Sequence, residues 1–237
     1  MRILGIDSSC SAATVAILND GMLEMEIFLN HKLQHSVVLF PMIEDMMNRL
    51  EIAIDDIDAI AVSGGPGSFT GLRIGVASAK GIAQGGNKEF IGVSSLDAMA
   101  FQQVGFDGTI CPIMDALRDN VYAAFYKGRP GEPERKSDYM ALHIDELLDK
   151  LSSGGERVIF CGDALPLHKA RIKECLGDRA FFAPSNSSLP RASSIAELAM
   201  LRLSRGEKDD IHTFSPIYIR KSQAEREYER KHGGSGE

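Results

Sequence analysis

The sequence predicts a two-lobed α/β protein written twice on one plan. Three observations carry that prediction. An apolar strand ending in aspartate opens each half, "RILGID" at 2–7 and "ICPIMD" at 110–115. A polar turn follows each aspartate, and a strand then returns, "ATVAIL" at 13–18 and "NVYAAFY" at 120–126. Each half continues through a third extended segment, a helix, a buried strand and further helix, the order expected of tandem α/β units. Asp7 and Asp115 hold matching places in the two copies.

Taken in order, the first half turns at Asn19-Asp20-Gly21, a hairpin signal because Asp-Gly accepts positive φ at both central positions. A third strand over 22–29 follows, then a helix over 36–50 and a buried strand in "IDAIAVS". The stretch "SGGPGSFTGLRIG" makes a glycine-rich turn into a helix over 69–84, with Ser68 placed to cap its first turn. In the second half a turn at Gly128-Arg129-Pro130-Gly131 leads to an extended segment near 135–142. A helix is expected from 144, a strand over 157–162, and helices over 165–176 and 192–204. The lobes divide as 1–104 and 105–220, and the mixed charges of 221–237 read as a solvated, flexible tail.

The 237 residues are 44% hydrophobic and 25% charged, an ordinary globular composition. No apolar run approaches the roughly 18 residues of a membrane span, and the first ten residues read as strand rather than signal peptide. Four cysteines stand far apart without a C-x-x-C pair, the pattern of reduced thiols in a cytoplasmic protein. Residues 1–100 hold six basic against twelve acidic groups, and the remainder twenty against twenty-one. Such a chain lacks the basic footprint of an independent nucleic-acid binder, so any nucleic-acid role is expected to depend on another protein.

The duplicated plan resembles the actin, hexokinase and heat-shock ATPase fold, in which two tandem ribonuclease-H-like lobes hold nucleotide between them. In that fold glycine follows the first aspartate so that backbone N–H groups can approach phosphate. Here the loops read "DSSCS" and "DALRD", and neither has it. Asp7, Ser8, Ser9, Asp115 and Arg118 are therefore expected to line a vestigial cleft with no catalytic residue and no cofactor. The glycine stretch has no Gly-Lys-Ser/Thr ending, and Thr70 stands where a nucleophile elbow needs glycine. His31 and His35 are four apart, but no third histidine or cysteine lies within ten residues, so no metal is expected.

"LGIDSS", "HSVVLFPMIEDMM", "SGGPGSFTGLRIG" with "AKGIA", "DALRDNVYAAFY" and "PIYIR" together strongly resemble the TsaB (YeaZ) family over nearly the whole chain. The resemblance implies a bacterial subunit of the machinery that makes threonylcarbamoyladenosine in tRNA, beside the anticodon. It implies a catalytic partner, TsaD, a small ATPase partner, TsaE, and a homodimer in isolation. Two rival readings are an ATP-dependent small-molecule kinase of the same fold and a glycoprotease-like metallopeptidase. The missing loop glycines and the missing ligand set speak against them.

The helices carry the partner expectation. Leu39, Phe40, Met42, Ile43, Met46, Met47 and Leu50 spread over about 160° of their helix, wider than the roughly 100° of a simple amphipathic face. In the second helix Leu72, Val76, Ala79 and Ala83 share one face, and Gly71, Gly75, Ser78 and Ile82 another. Two-sided helices of this kind are either buried in the fold or pressed against a partner. Because the resembling family pairs through its first-half helices, Leu39, Met42, Ile43, Met46, Gly71, Gly75 and Ser78 are expected at the partner interface.

Overall fold

The computed structural model describes residues 1–31, 34–129 and 131–220. The expected tail at 221–237 lies outside them.

Strand β1 (Arg2–Asp7) pairs antiparallel with β2 (Ala13–Asn19), and β2 with β3 (Met22–Leu29). Their hairpin turns at Asp20 and Gly21 with φ of 48° and 82°, the positive pair that Asp-Gly favours. Helix α1 (His35–Arg49) leads to β4 (Ala59–Gly65), which lies parallel to β1. Helix α2 (Phe69–Gly86) then returns the chain to β5 (Glu89–Ser94), parallel to β4. The sheet order is β3-β2-β1-β4-β5.

Helix α3 (Ser95–Phe101) crosses to the second half. There β6 (Thr109–Asp115), β7 (Asn120–Ala123), β10 (Met140–His143), α4 (Ile144–Ser152), β11 (Val158–Cys161), α5 (Leu165–Leu176) and β12 (Ala180–Phe182) repeat the plan. A hairpin of β8 (Tyr126–Arg129) and β9 (Glu132–Arg135) is added on β6. The order β10-β7-β6-β11-β12 matches the first sheet strand for strand.

Side chains alternate between two layers, as the pleat requires. Leu4, Ile6, Val15, Ile17, Ile60 and Val62 face α1 and α2. Ile3, Leu18, Ala59, Ala61, Ile91 and Val93 face the last helix, α6 (Ala192–Ser204). Each fully buried leucine or isoleucine contributes roughly 1.5–3 kcal/mol, which is why β1, buried along both faces, is the centre of the lobe.

Three features depart from the sequence expectation. The strand expected at 120–126 is broken between β7 and β8, because β7 pairs with the end of β6 and β8 with its start. The short strands β5 and β12 complete the sheets at their edges. Helix α6, assigned by sequence to the second lobe, packs on β1, β2 and β4. In return α3 packs on β6, so each lobe receives a helix at the other's end. Glu26 on β3 fixes α6 from outside: its carboxylate accepts from Ser193 N (3.1 Å) and Ser193 Oγ (3.0 Å), replacing the side-chain cap that Arg191 does not provide.

Candidate functional site

Both aspartate loops sit at the carboxyl ends of the central strands, where the fold places a site. Asp7 is fully buried. Its carboxylate accepts from Ser9 N (3.0 Å) and from Ser9 Oγ (3.0 and 3.1 Å). Burial pushes the Asp7 carboxyl above its usual range, and these hydrogen bonds oppose that rise.

The glycine stretch is shaped to this loop. Gly67, Gly71 and Gly75 lie against Ser9 O, Ser8 O and Ser8 Oγ so closely that a Cβ at any of them would overlap those atoms. Ser8 Oγ donates to Gly71 O (2.8 Å), Ser68 N donates to Ser9 O (2.7 Å), and Ser68 Oγ caps Gly71 N (3.2 Å). The first turn of α2 thus receives the chain's own Ser8-Ser9 segment, where a phosphate cradle would receive its ligand.

This geometry corrects the interface expectation. Gly71 and Gly75 face inward to Ser8, and Ser78 is half-buried. Leu39, Met42, Ile43 and Met46 are 0, 8, 5 and 0% exposed, within the first-lobe core. The wide arc of α1 arises because that helix is covered by the sheet on one flank and by α2 on the other. The large apolar side chains that α1 leaves outside are Val37, 63% exposed, and Phe40, 53% exposed, among exposed polar residues that include Glu44, Asp45 and Arg49. On α2 the exposed residues are Thr70, Arg73, Ala77, Gly81, Gln84 and Gly85, and a Cβ on Gly81 or Gly85 would meet nothing within 4 Å.

At the second loop Asp115 is half-buried; its N–H donates to Asp163 Oδ1 (2.9 Å) and its Oδ1 accepts from Leu117 N (2.8 Å). Burial pushes the Asp163 carboxyl up to about 6, and the Asp115 charge adds to the rise. Leu117, Arg118 and Asp119 carry φ of 65°, 56° and 56°, three successive left-handed residues that are not glycine. Asn120 Nδ2 holds this turn by donating to the carbonyls of Leu117 (3.0 Å) and Arg118 (2.8 Å).

The five expected cleft residues differ in exposure, and Asp115 is half-buried. Asp7, Ser8 and Ser9 are sealed in, whereas Arg118 points to solvent. Between the loops an apolar cluster fills the junction, with Cys10, Leu96 and Met99 meeting Met114, Tyr126 and Cys161. Beside it stands a group that sequence reading missed. Asp97 on α3 accepts from Tyr126 OH (2.7 Å) and from Tyr139 OH (3.0 Å to each oxygen), and Arg135 lies 4.1 Å over the Tyr139 ring. Burial raises Asp97 and the two tyrosine bonds oppose the rise. No local pattern announces such a pin, since its members come from three distant segments. Asp163 was legible in principle, as the acid closing the buried strand "RVIFCGD".

Of the histidine pair, His35 places Nε2 2.8 Å from the Cys10 carbonyl and His31 is exposed. A cavity of about 240 Å³ lies between α4 and α5, lined by Asp145, Leu148, Arg171 and Glu174, away from both loops. No helix among the described residues is long and apolar enough to cross a membrane.

Fold and site together define a class: a two-lobed α/β protein of the actin–hexokinase type whose glycine-rich turn into α2 packs against its own Ser8-Ser9 segment. Comparison with known proteins narrows the class. Residues 30–228 match the family described as TsaD, tRNA N6-adenosine threonylcarbamoyltransferase. The chain is 33% identical to the tRNA threonylcarbamoyladenosine biosynthesis protein TsaB of Bacillus subtilis, over 96% of this chain and 98% of that one. The solved structure of YeaZ from Pseudomonas aeruginosa superposes with a TM-score of 0.78 at 26% identity, covering 92% of this chain and 99% of that one. Component A of (R)-2-hydroxyglutaryl-CoA dehydratase from Acidaminococcus fermentans, at 12% identity and a TM-score of 0.50 over 86% of this chain and 99% of that one, shares the fold alone. The chain belongs to the TsaB (YeaZ) family.

Proposed function

We propose that this protein is a non-catalytic, dimerising subunit of the bacterial complex that transfers a threonylcarbamoyl group to N6 of the tRNA adenosine next to the anticodon. Its partner in this reading is the transferase TsaD, with the ATPase TsaE joining the pair, and the chain forms a homodimer when alone. One observation carries the non-catalytic part. The glycine cradle at α2, the element most like a phosphate site, is occupied by Ser8 and Ser9. Two donors of that turn are already engaged, Ser68 N by Ser9 O and Gly71 N by Ser68 Oγ.

The docking part rests on the outward faces of α1 and α2. Val37 and Phe40 are large, apolar and exposed, and the exposed Gly81 and Gly85 let a second helix approach closely. Large apolar side chains exposed in this way mark the kind of surface that closes when a partner arrives. The helices 36–50 and 69–84 remain the partner surface of this reading, used through Val37 and Phe40 in place of the buried residues. Size-exclusion chromatography of the chain with TsaD from the same organism tests it. A mixed complex that Phe40→Glu abolishes while the far-ultraviolet spectrum stays native supports the reading. Co-elution unaffected by Phe40→Glu and Val37→Glu together would remove this surface from the account.

A further inference from the structure

Eight of the thirteen described arginines form ion pairs with carboxylates. Arg135 lies on Tyr139, and Arg179 donates to the carbonyls that end α4. Three remain: Arg73, Arg118 and Arg220 meet no carboxylate among the described residues. They are also neighbours. Arg73 lies 3.9 Å over the Phe69 ring and its Nε is 3.4 Å from Tyr218 OH. Tyr218 stacks on Phe69 at 4.9 Å and is 42% exposed. Two residues further on, Arg220 Nη1 donates to Ala116 O (3.4 Å), two residues before Arg118.

Arg118 is held outward at a cost. Left-handed φ in a residue other than glycine costs about 1 kcal/mol or more, and three such residues stand in a row at 117–119. All three side chains are exposed, and hydrogen bonds to their backbone, from Asn120 and Ile144 and to Asp115, hold the turn. The adjacent Asp119 forms no ion pair with Arg118.

We propose that this patch is where the chain contacts single-stranded RNA, a proposal that rests on the tRNA-modification reading above. The three guanidinium groups meet phosphates, and the Phe69–Tyr218 pair offers a stacking face to one base. Phe69 and Arg73 share their helix with the docking face, so the choice of RNA over a protein rests on the three guanidinium groups that meet no carboxylate among the described residues. Three phosphate contacts on a chain of net charge −7 give weak binding alone and a useful increment inside a complex.

The test uses the full chain assembled with TsaD, and an RNA anticodon stem-loop as probe, by fluorescence anisotropy between about 50 and 200 mM salt. The triple variant Arg73→Gln, Arg118→Gln, Arg220→Gln should make the slope of log affinity against log salt shallower by about 2, at roughly 0.7 per single-strand phosphate. Tyr218→Ala should weaken binding about tenfold with the slope unchanged, and Tyr218→Phe should restore it. Both variants should still elute with TsaD. Wild-type affinity and slope in the triple variant would overturn the proposal. Loss of TsaD from the triple variant would overturn it too, making the patch a protein contact. A wild-type complex that modifies tRNA while these results fail refutes the patch alone; one that neither modifies nor binds tRNA refutes the underlying reading as well.

Discussion

Helix α2 contains glycines of two kinds, and substituting one of each should give effects of opposite sign. At Gly71 a Cβ would overlap Ser8 O, and at Gly81 it would meet nothing within 4 Å. Replacing glycine by alanine inside a helix is worth up to about 1 kcal/mol of stability. Gly81→Ala should realise most of that. Gly71→Ala must push the Ser8 carbonyl away, at roughly 1–3 kcal/mol for overpacking. It must also weaken the 2.8 Å bond from Ser8 Oγ to Gly71 O, worth about 1 kcal/mol net. Against the helix gain, a net loss of about 1–3 kcal/mol remains. Urea denaturation followed by circular dichroism, with the slope of the transition checked for constancy, reads both. Because Gly81 lies on the proposed docking face, the series is repeated at several protein concentrations, which separates folding from association. A shift of the same sign in both variants would show that Ser8 does not lie in a glycine-lined cradle.

Other consequences follow from single groups. Glu26→Ala should destabilise by about 1–2 kcal/mol, since it uncaps α6, and thermal melting with Glu26→Gln as the milder control checks it. Tyr139→Phe should cost about 1.5–3 kcal/mol, as it removes a hydrogen bond to a buried carboxylate; a change under half of that would deny Asp97 a role in joining the lobes. Asp163 has a raised folded pKa, so its contribution is fully present below the unfolded carboxylate range near pH 4 and is lost as pH rises through about 6. Asp163→Asn should therefore flatten the stability profile between those limits and stabilise the protein at pH 7, and melting across that range would show a profile parallel to wild type if the argument is wrong.

The plan of the fold was legible because it is local. Asp-Gly at 20–21 announces its hairpin, and the apolar strands 2–7 and 110–115 announce the centres of two sheets. Helix periodicity also placed 165–176 and 192–204 within the chain. What it could not supply was address: nothing in "ASSIAELAMLRLS" distinguishes packing on the second sheet from packing on the first, where α6 lies. The same limit explains α1. A broad apolar arc reports that a helix is covered on two sides, and α1 is covered by its own sheet and by α2, so Met42 and Met46 are core. Of the arc, Phe40 alone is exposed, and spacing does not single it out. The glycine stretch was read as scaffold and interface derived from a phosphate cradle; its loop-facing role needed coordinates, because Ser8 approaches it from more than sixty residues away. The Asp97 pin was invisible for the same reason.

The central claim is that this chain acts by supporting a transferase through the outer face of α1 and α2. Threonylcarbamoyl transfer to tRNA, measured with TsaD and TsaE from the same organism, tests it most directly. The account predicts no transfer by the chain alone, turnover when it is added to both partners, and loss of that turnover with a folded Phe40→Glu variant. Transfer by the isolated chain, or full turnover supported by Phe40→Glu, would contradict it.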